Sequence, residues 1–485
     1  MKVFSNSTKL KKESYSALFI CFVFFIAYLV LSLTKHLHYQ TGYDLSIVNQ
    51  IVWQYSRLTI PVSSVHAYAF SPVFSDHIEF IYALISPFYW ILPDARILII
   101  LQAIAAGLSG IPVFLLARKY KINKYLSFAL LISYFMFFGV QNALWSDVHS
   151  LVFGVSFLAF FIYFLDIGKK WPAVLFFFLA LTSKEDMGLL TFLITFVYFI
   201  KTRRKFTFLL MVLSAIYVLL LYFVYFPNFT LVGYQYSNRN GLLSNINLLN
   251  FFNTAEKRQV IFYSLSSFGF LPLLNPLLLI PFVGDLGHYF IFGNDTATST
   301  HSVFLHYRVT DAILLVWSTI LIISKFKKLN RGYFAIYILF FSLLMTYVLH
   351  SPLTYLSKKW FWTEPSGVKN INLLLNYLPN DAYVVTQTNI APHISNRKFI
   401  VTMWGEGKDF KEESPCGEKR CDWFKWAGSP KYMVVDTSPE WNILNLLANR
   451  EDFVSALKNM EKMGNIKKYK EIGSAKIYLV EKKPF

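Results

Sequence analysis

The sequence has 485 residues, of which 55% are hydrophobic and 19% are aromatic, and this composition is too apolar for an ordinary soluble protein. Repeated apolar runs of about 17–25 residues have the length that a helix needs to cross a bilayer. The net charge of +18 would suggest nucleic-acid binding in a soluble protein. Here most basic residues lie in short segments between the apolar runs, where they set membrane orientation. The composition predicts a multi-pass membrane protein that does not bind nucleic acid.

The chain begins with a basic segment and an apolar run at 15–34, which we interpret as a signal anchor because no small-residue cleavage site follows it. The next segment, 35–96, is a long loop that holds four of the ten histidines. Its residues 77–92 are apolar but short and interrupted by proline, so we expect them at the outer membrane surface. The loop is therefore where polar chemistry is expected.

The remaining apolar runs predict the other membrane spans. We expect them at 97–117, 125–143, 151–167, 171–183, 187–200, 206–226, 307–324 and 332–350, with 258–291 forming two short crossings hinged near Pro272, Asn275 and Pro276. Basic residues cluster in alternate loops, and basic loops stay cytoplasmic. The pattern predicts about eleven crossings of the plasma membrane, with a cytoplasmic N-terminus and with 35–96 outside.

Beyond residue 350 the charge density rises and the long apolar runs stop. Predicted strands (AYVVTQ, RKFIVT, PKYMVVDT) alternate with predicted helices (VKNINLLLNYLP, WNILNLLANREDFVSALKNM), and YKEIGSAKIYLVEK reads as a closing hairpin. This order predicts a membrane domain over 1–350 and a soluble extracytoplasmic α/β domain over 351–485. Cys416 and Cys421 favour a disulfide over a metal site if the tail is outside.

Several polar side chains lie at the predicted outer ends of the helices. Asp44 opens the amphipathic segment DLSIVNQIVWQY, either as a helix N-cap or as a rigidly held acid, and the two roles are compatible. Asp147 and His149 share the short turn WSDVHS, either as solvated turn residues or as ligands of a divalent Mg, Mn or Zn ion. Trp53 and Trp145 either stack on a sugar or anchor the protein at the membrane surface.

Three consecutive charges, Lys184–Glu185–Asp186, precede an apolar run, where they are unfavourable unless paired or facing water. They indicate either a functional site or a cluster that satisfies itself at the interface. Arg308, which follows His306 and Tyr307, is a candidate phosphate clamp. The alternative is that its side chain snorkels to lipid headgroups.

The segments GYDLSIVNQIVW, SDVHS, SKEDMGLL, HYRVTDAILL and KYMVVD resemble the family of predicted membrane proteins of unknown function numbered 2079. The family's patterns fall on Asp44–Leu45, His77, Asp147–His149 and Lys184–Asp186, with departures at Ser46, Val148 and Ser150. That family is similar in turn to the GT-C glycosyltransferases, which have about eleven or more helices and an essential acid in the first external loop. The resemblance implies a GT-C-like membrane fold, polyprenyl-phosphate-linked sugars as donors, and Asp44 as the acid.

We therefore expect a membrane glycosyltransferase that moves a sugar from a polyprenyl-phosphate-linked donor to a glycan, lipid or protein acceptor on the outer face. Asp44 would act as the general base. A first group of polar residues would bind a divalent ion or the departing phosphate. A second group would neutralise further negative charge and contact the substrates. The first group is His77, Glu185, Asp147 and His149; the second is Lys184, Arg308, His306, Trp53 and Trp145.

Two other functions remain as alternatives. A transporter or flippase of a lipid-linked or polar substrate would place its ionisable groups near the bilayer midplane and show repeated halves. A non-catalytic scaffold of the cell envelope would leave the charged outer turns unexplained.

Overall fold

The structure is a computed structural model that describes residues 8–65, 71–75, 77–229, 248–291, 301–405, 424–439 and 450–482. The chain divides into two compact units. The first, the helical unit, comprises residues 1–31, 74–81 and 100–357. The second, the sheet unit, comprises residues 32–73, 82–99 and 358–485. Most of the long first loop therefore belongs to the same unit as the C-terminal part of the chain.

The helical unit consists of apolar helices at the positions that the apolar runs predict. Two of them, Thr8–Leu37 and Ala95–Lys119, continue into the sheet unit. The others are Lys124–Met136, Phe138–Trp145, Ser150–Asp166, Lys170–Leu181, Asp186–Thr202, Lys205–Leu220, Phe226–Phe229, Ala255–Ser266, Pro276–Phe290, Val309–Lys325 and Tyr333–Val348. Hydrophobic patterning thus located most of these helices to within a few residues, but the single span predicted at 125–143 is two helices.

The prediction of about eleven spans is wrong by the criterion of length and composition. Among the described residues four helices are long and apolar enough to cross a membrane, namely Lys12–Leu37, Ala95–Lys119, Lys205–Asn228 and His306–Lys325. A fifth results if Lys124–Met136 and Phe138–Trp145, which meet at 42°, form one bent span. Other apolar helices have only 10–17 residues. A helix of that length reaches at most about 25 Å, whereas the hydrocarbon layer is about 30 Å thick.

The hinge predicted near Pro272, Asn275 and Pro276 is confirmed. Helix Ala255–Ser266 is followed by a short 3-10 helix at Leu271–Leu274, and a new helix begins at Pro276. Proline is favoured at the first helical position because its missing N–H would have no partner there. The break at Phe137 has no such signal in the sequence.

Asp166 ties three helices of the helical unit together. Its carboxylate accepts hydrogen bonds from the hydroxyls of Tyr120 (2.8 Å) and Tyr198 (3.0 Å), and it forms an ion pair with Lys119. Tyr198 in turn stacks on the buried Trp317, with ring centroids 5.4 Å apart. Loss of this carboxylate would leave several polar groups unsatisfied.

The sheet unit contains a five-stranded mixed sheet. Its strands, in spatial order, are Ile400–Thr402, Val384–Thr386, Tyr432–Asp436, Ala475–Val480 and Ile466–Ile472. The first three are parallel to one another, and the last two pair antiparallel. This arrangement confirms the predicted strands and the closing hairpin. Cys416, Cys421 and the first half of the predicted long helix lie outside the described residues, so the disulfide stays a prediction.

Side chains of the parallel strands alternate between two apolar clusters, as the period of a strand requires. Val384, Ile400 and Val434 face one cluster, which includes residues of helices Gly367–Leu375 and Ala391–Ile394. The following residues of each strand face the other cluster, which includes residues of helix Arg450–Lys462. The sheet is therefore covered on both faces.

Helix Tyr43–Tyr55 is fastened within the sheet unit by two buried amides. The side-chain nitrogen of Asn49 donates to the hydroxyl of Ser395 (2.8 Å), and its oxygen accepts from the hydroxyl of Tyr89 (2.5 Å). The side-chain nitrogen of Gln50 donates to the hydroxyl of Ser64 (2.8 Å). The bond from Asn49 to Ser395 attaches the first loop to the C-terminal part of the same unit, and the other two bonds lie within the loop.

We expect Asp166→Ala to lower the free energy of unfolding of the helical unit by about 2–3 kcal/mol, because it leaves two tyrosine hydroxyls and a lysine without their carboxylate partner. Thermal unfolding of purified protein, followed by circular dichroism, measures the loss. Glu471→Ala is the control, since Glu471 pairs with Lys468 and Lys476 at an exposed site where ion pairs contribute little. Equal losses in the two variants would contradict the role of Asp166.

Candidate functional site

His77 and Glu185 form a buried acid–imidazole pair in the helical unit. The Oε1 of Glu185 lies 2.7 Å from the Nδ1 of His77, and its Oε2 accepts the backbone N–H of Ile78 at 3.1 Å. The Glu185 side chain is fully buried, whereas 20% of His77 is exposed. The backbone N–H of Ile81 also donates to the carbonyl of Thr182 (2.8 Å), which holds the two segments together. The structure thus joins two predicted catalytic residues that are 108 positions apart.

The charge state of Glu185 follows from its partners. Burial by itself would raise its pKa, but His77 and Lys184 outweigh burial and lower the pKa to about 2. Glu185 is therefore ionised at neutral pH. For the neighbouring Glu79 burial is the largest effect and raises the pKa, although His77 and Lys184 oppose it. The hydroxyl of Ser150 donates to Glu79.

Lys184 and Asp186 extend this arrangement. The Nζ of Lys184 lies 3.8 Å from the Oδ2 of Asp186, which also accepts the hydroxyl of Tyr289 at 3.0 Å. The Nε2 of His288 lies 3.6 Å from the other oxygen of Asp186. Burial alone would lower the pKa of Lys184, but Asp186 and Glu185 outweigh it and raise that pKa. The three charges at 184–186 are therefore not a self-contained cluster. Glu185 contacts His77, and Asp186 contacts Tyr289, both in distant segments.

Arg308 is completely buried, in the 3-10 helix that precedes Val309–Lys325. Its Nη1 lies 3.6 Å from a carboxylate oxygen of Asp311, and its guanidinium lies over the ring of Tyr289 at 4.8 Å. No guanidinium nitrogen has a hydrogen-bond acceptor among the described residues. Complete burial argues against snorkelling to headgroups and leaves a cation whose hydrogen bonds are unmade.

Two imidazoles complete the group. The rings of His149 and His306 stack with centroids 3.5 Å apart and an angle of 12°. The backbone N–H of His149 donates to the side chain of Gln102 at 2.7 Å. His306 is within electrostatic reach of Lys184, His77 and Arg308. We call this set the polar cluster, and its members are His77, Glu79, His149, Lys184, Glu185, Asp186, Tyr289, His306 and Arg308.

The arrangement does not fit a metal centre. Among the described residues no three His, Cys, Asp or Glu side chains are grouped so that they hold a metal ion. The ring of His149 is stacked on His306, and the backbone carbonyl of Asp147 accepts a hydrogen bond from Gln102 at 3.2 Å. The metal role of Asp147 and His149 stays a prediction.

The other predicted site residues are distributed over both units. Asp44 belongs to the sheet unit, where it is exposed in the first turn of helix Tyr43–Tyr55. Gly42 is the N-cap of that helix, so the N-cap prediction for Asp44 is wrong, although an acid in the first turn still favours the helix dipole. Trp53, also in the sheet unit, lies 4.1 Å from the guanidinium of Arg57, and Trp145 packs edge-on against Tyr355 in the helical unit.

Some members of the polar cluster had no functional signal in the sequence. Glu79 was one carboxylate among several in the loop, and Tyr289 lies in an ordinary apolar helix. A fully buried tyrosine hydroxyl that needs a partner is recognisable only from the structure. The same holds for Asp285, a buried acid of the same helix, because only the structure shows that its carboxylate accepts the hydroxyl of Thr310 at 2.6 Å.

Glu185→Gln should lower the melting temperature at neutral pH, because it removes the anion that His77 and Lys184 face. The folded-state pKa of Glu185 is depressed, so its stabilisation is present above about pH 4.5 and is lost as the pH falls towards about 2. The difference in melting temperature between wild type and Glu185→Gln should therefore shrink as the pH is lowered from about 7 to about 3. A difference that is independent of pH would refute the ionised pair.

Comparison with known proteins gives one result on the family. No curated protein matches the chain. The sequence profile of the family described as "Predicted membrane protein (DUF2079)" matches residues 35–436, which is more than half of the chain and includes both units. Together with the apolar helices of the helical unit, this match shows that the chain belongs to the predicted membrane protein family DUF2079.

Proposed function

We propose that the protein is an integral membrane glycosyltransferase that moves a sugar from a polyprenyl-phosphate-linked donor to an acceptor outside the cytoplasm. The observation that carries the proposal is the polar cluster, which contains the pair His77–Glu185 and the buried cations Lys184 and Arg308 among the apolar helices of the helical unit. Ionisable groups among membrane helices are energetically unfavourable. Several of them together therefore indicate a functional site. Acid–base groups beside phosphate-binding cations suit transfer from a sugar phosphate.

The proposed reaction forms a bond between the acceptor oxygen and the anomeric carbon of the sugar and breaks the bond from that carbon to the phosphate oxygen. The acceptor hydroxyl gives its proton to a base, and the polyprenyl phosphate leaves with the electron pair. Negative charge grows on the phosphate as the bond breaks, and donors placed there in advance stabilise it. Lys184 supplies an ammonium group, and Arg308 supplies guanidinium N–H groups that have no acceptor among the described residues.

Two groups are candidates for the base. The family resemblance implies Asp44, whose exposed carboxylate lies at the beginning of its helix. The geometry favours His77, because a carboxylate on Nδ1 orients the ring and makes the other nitrogen more basic. Since the two residues belong to different units, each role is tested separately.

A transporter or flippase is the second candidate function. Asp285, Arg308 and Asp311 are at most 2% exposed and lie in or next to helices Pro276–Phe290 and Val309–Lys325. Buried acids and bases within membrane helices are typical of transporters. A transporter would move its substrate without breaking the bond between sugar and phosphate, so product analysis separates the two functions.

Asp44→Asn should reduce sugar transfer by about 100-fold or more if the carboxylate takes the acceptor's proton. The measurement is loss of sugar from defined polyprenyl-phosphate sugars incubated with purified protein. Asp94→Asn is the matched control, because Asp94 lies in the same unit and forms an exposed pair with Arg96. Full activity of Asp44→Asn excludes that carboxylate as the base.

His77→Asn should lower the same rate by about 100-fold and alter its pH profile, because the imidazole that Glu185 orients is removed. His350→Asn is the control, since His350 is an exposed histidine of the same unit.

Reconstitution of the protein in vesicles separates the two functions. Movement of the sugar lipid across the bilayer with its sugar–phosphate bond intact would support the transporter and contradict the transferase.

A further inference from the structure

The sheet unit has a polar edge where its parallel strands end. Strand Val384–Thr386 lies between Ile400–Thr402 and Tyr432–Asp436, and all three run in the same direction. The chain passes from the central strand to one neighbour and then crosses to the other. Such a change of direction in an open α/β sheet creates a crevice at the carboxyl ends of the strands, where ligands bind.

Polar residues occupy this edge. Gln387 and Asn389 follow the central strand, and Asp436 ends the neighbouring one. The side-chain oxygen of Gln387 accepts the backbone N–H of Asp436 at 2.5 Å, so the two strand ends share one surface. An oxygen of Asp436 accepts the backbone N–H of Ser438 at 3.1 Å. All four residues are less than 9% exposed.

Three nitrogen atoms at this edge have no hydrogen-bond partner among the described residues. They are the Nε2 of Gln387, the Nδ2 of Asn389 and the Nε2 of His393, and all are buried. A buried polar group without a partner is unfavourable, so native proteins rarely keep one without a reason. Three together indicate a bound group that supplies what the protein does not.

Aromatic rings from the first loop line the same region. The ring of Tyr39 stacks on His393 with centroids 3.6 Å apart, and His36 stacks on His393 at 4.1 Å. Burial raises the pKa of Tyr39, and the carboxylate of Asp436 raises it further, so Tyr39 lies near the polar edge as well as near His393. The faces of these rings contact one another, and Tyr39 and His36 are at most 3% exposed, so the stack joins the first loop to the segment that follows the central strand.

The helix that carries Asp44 packs on this region. Asp44 is five positions after Tyr39, and Asn49 of the same helix donates to the carbonyl of Pro392 (3.3 Å) and to the hydroxyl of Ser395 (2.8 Å). Tyr43 packs against the apolar cluster that includes strand residues of the edge. The acid that the family resemblance implies is therefore on a helix that is hydrogen-bonded, within one unit, to the segment that follows the central strand.

We infer that the carboxyl edge around Gln387, Asn389 and Asp436 binds the acceptor, and that the acceptor is a neutral carbohydrate whose hydroxyl groups meet these side chains. This inference rests on the proposed transferase function. Hydroxyls donate to carboxylates and accept from amides, so they match both kinds of group present.

Saturation-transfer NMR on the full chain in lipid nanodiscs tests the inference without any donor lipid. The probes are methyl α-mannoside, methyl β-glucoside and methyl β-galactoside at millimolar concentration. We expect at least one of them to bind wild type, and Asn389→Ala and Gln387→Ala to weaken that binding by about tenfold each, the loss of roughly one hydrogen bond. Asn376→Ala, an exposed amide of the same unit, should bind as wild type does.

Thermal unfolding of each variant verifies that it is folded; if one alanine variant fails, the other decides. The inference is overturned if no glycoside binds wild type, or if both folded alanine variants bind like wild type, in which case the amides hold water only. Donor turnover is measured in a separate assay. Glycoside binding without donor turnover would therefore refute the transferase and keep a carbohydrate site, whereas turnover without glycoside binding would refute this site alone.

Discussion

The pairing of Glu185 with His77 is the interaction on which the helical unit's chemistry depends. A fully buried carboxylate is unfavourable in an apolar surrounding unless cations and hydrogen bonds compensate for its lost hydration. Here His77, Lys184 and the N–H of Ile78 provide that compensation. The same contacts hold residues 77–81 of the first loop on the turn that precedes helix Asp186–Thr202. The same interaction therefore stabilises the buried charge of Glu185 and holds the loop segment in place. We expect that breaking it disrupts both.

The first loop is divided between the two units by its own polar residues. Its residues 74–81 join the helical unit, where Glu185 binds them, and its residues 32–73 and 82–99 join the sheet unit, where Asn49 and Gln50 make buried hydrogen bonds. Buried amides are specific connectors, because an amide separated from its partner is left unsatisfied. One loop thus supplies residues to two units.

Hydrophobic patterning predicted where the helices lie, since apolar runs, basic loops and prolines are local signals. The hinge near Pro276 and the strands of the sheet unit are confirmed for the same reason. The number of spans could not be predicted from patterning, because a helix's true length is set by its end residues and an apolar run does not report them. The break at Phe137 is such a case.

The chemical groups of the site were recognisable by type, but their partners were not. The three consecutive charges at 184–186 indicated an unusual site because they precede an apolar run. The contact of Glu185 with His77 joins positions 108 apart, and the complete burial of Arg308 depends on packing from several helices. Sequence reasoning from one chain has no access to either fact, because both are properties of tertiary structure.

The two units present different chemistry, and this difference bears on how a transferase would use them. The polar cluster of the helical unit contains the buried cations Lys184 and Arg308, which suit a charged phosphate. The carboxyl edge of the sheet unit contains the buried amides of Gln387 and Asn389 and the carboxylate of Asp436. The proposed transferase would need both kinds of recognition, since its leaving group would be an anion and the acceptor inferred for it is neutral. A simple ion channel or an anion transporter would have no use for the second kind, so the amide-rich edge favours a protein that handles two substrates.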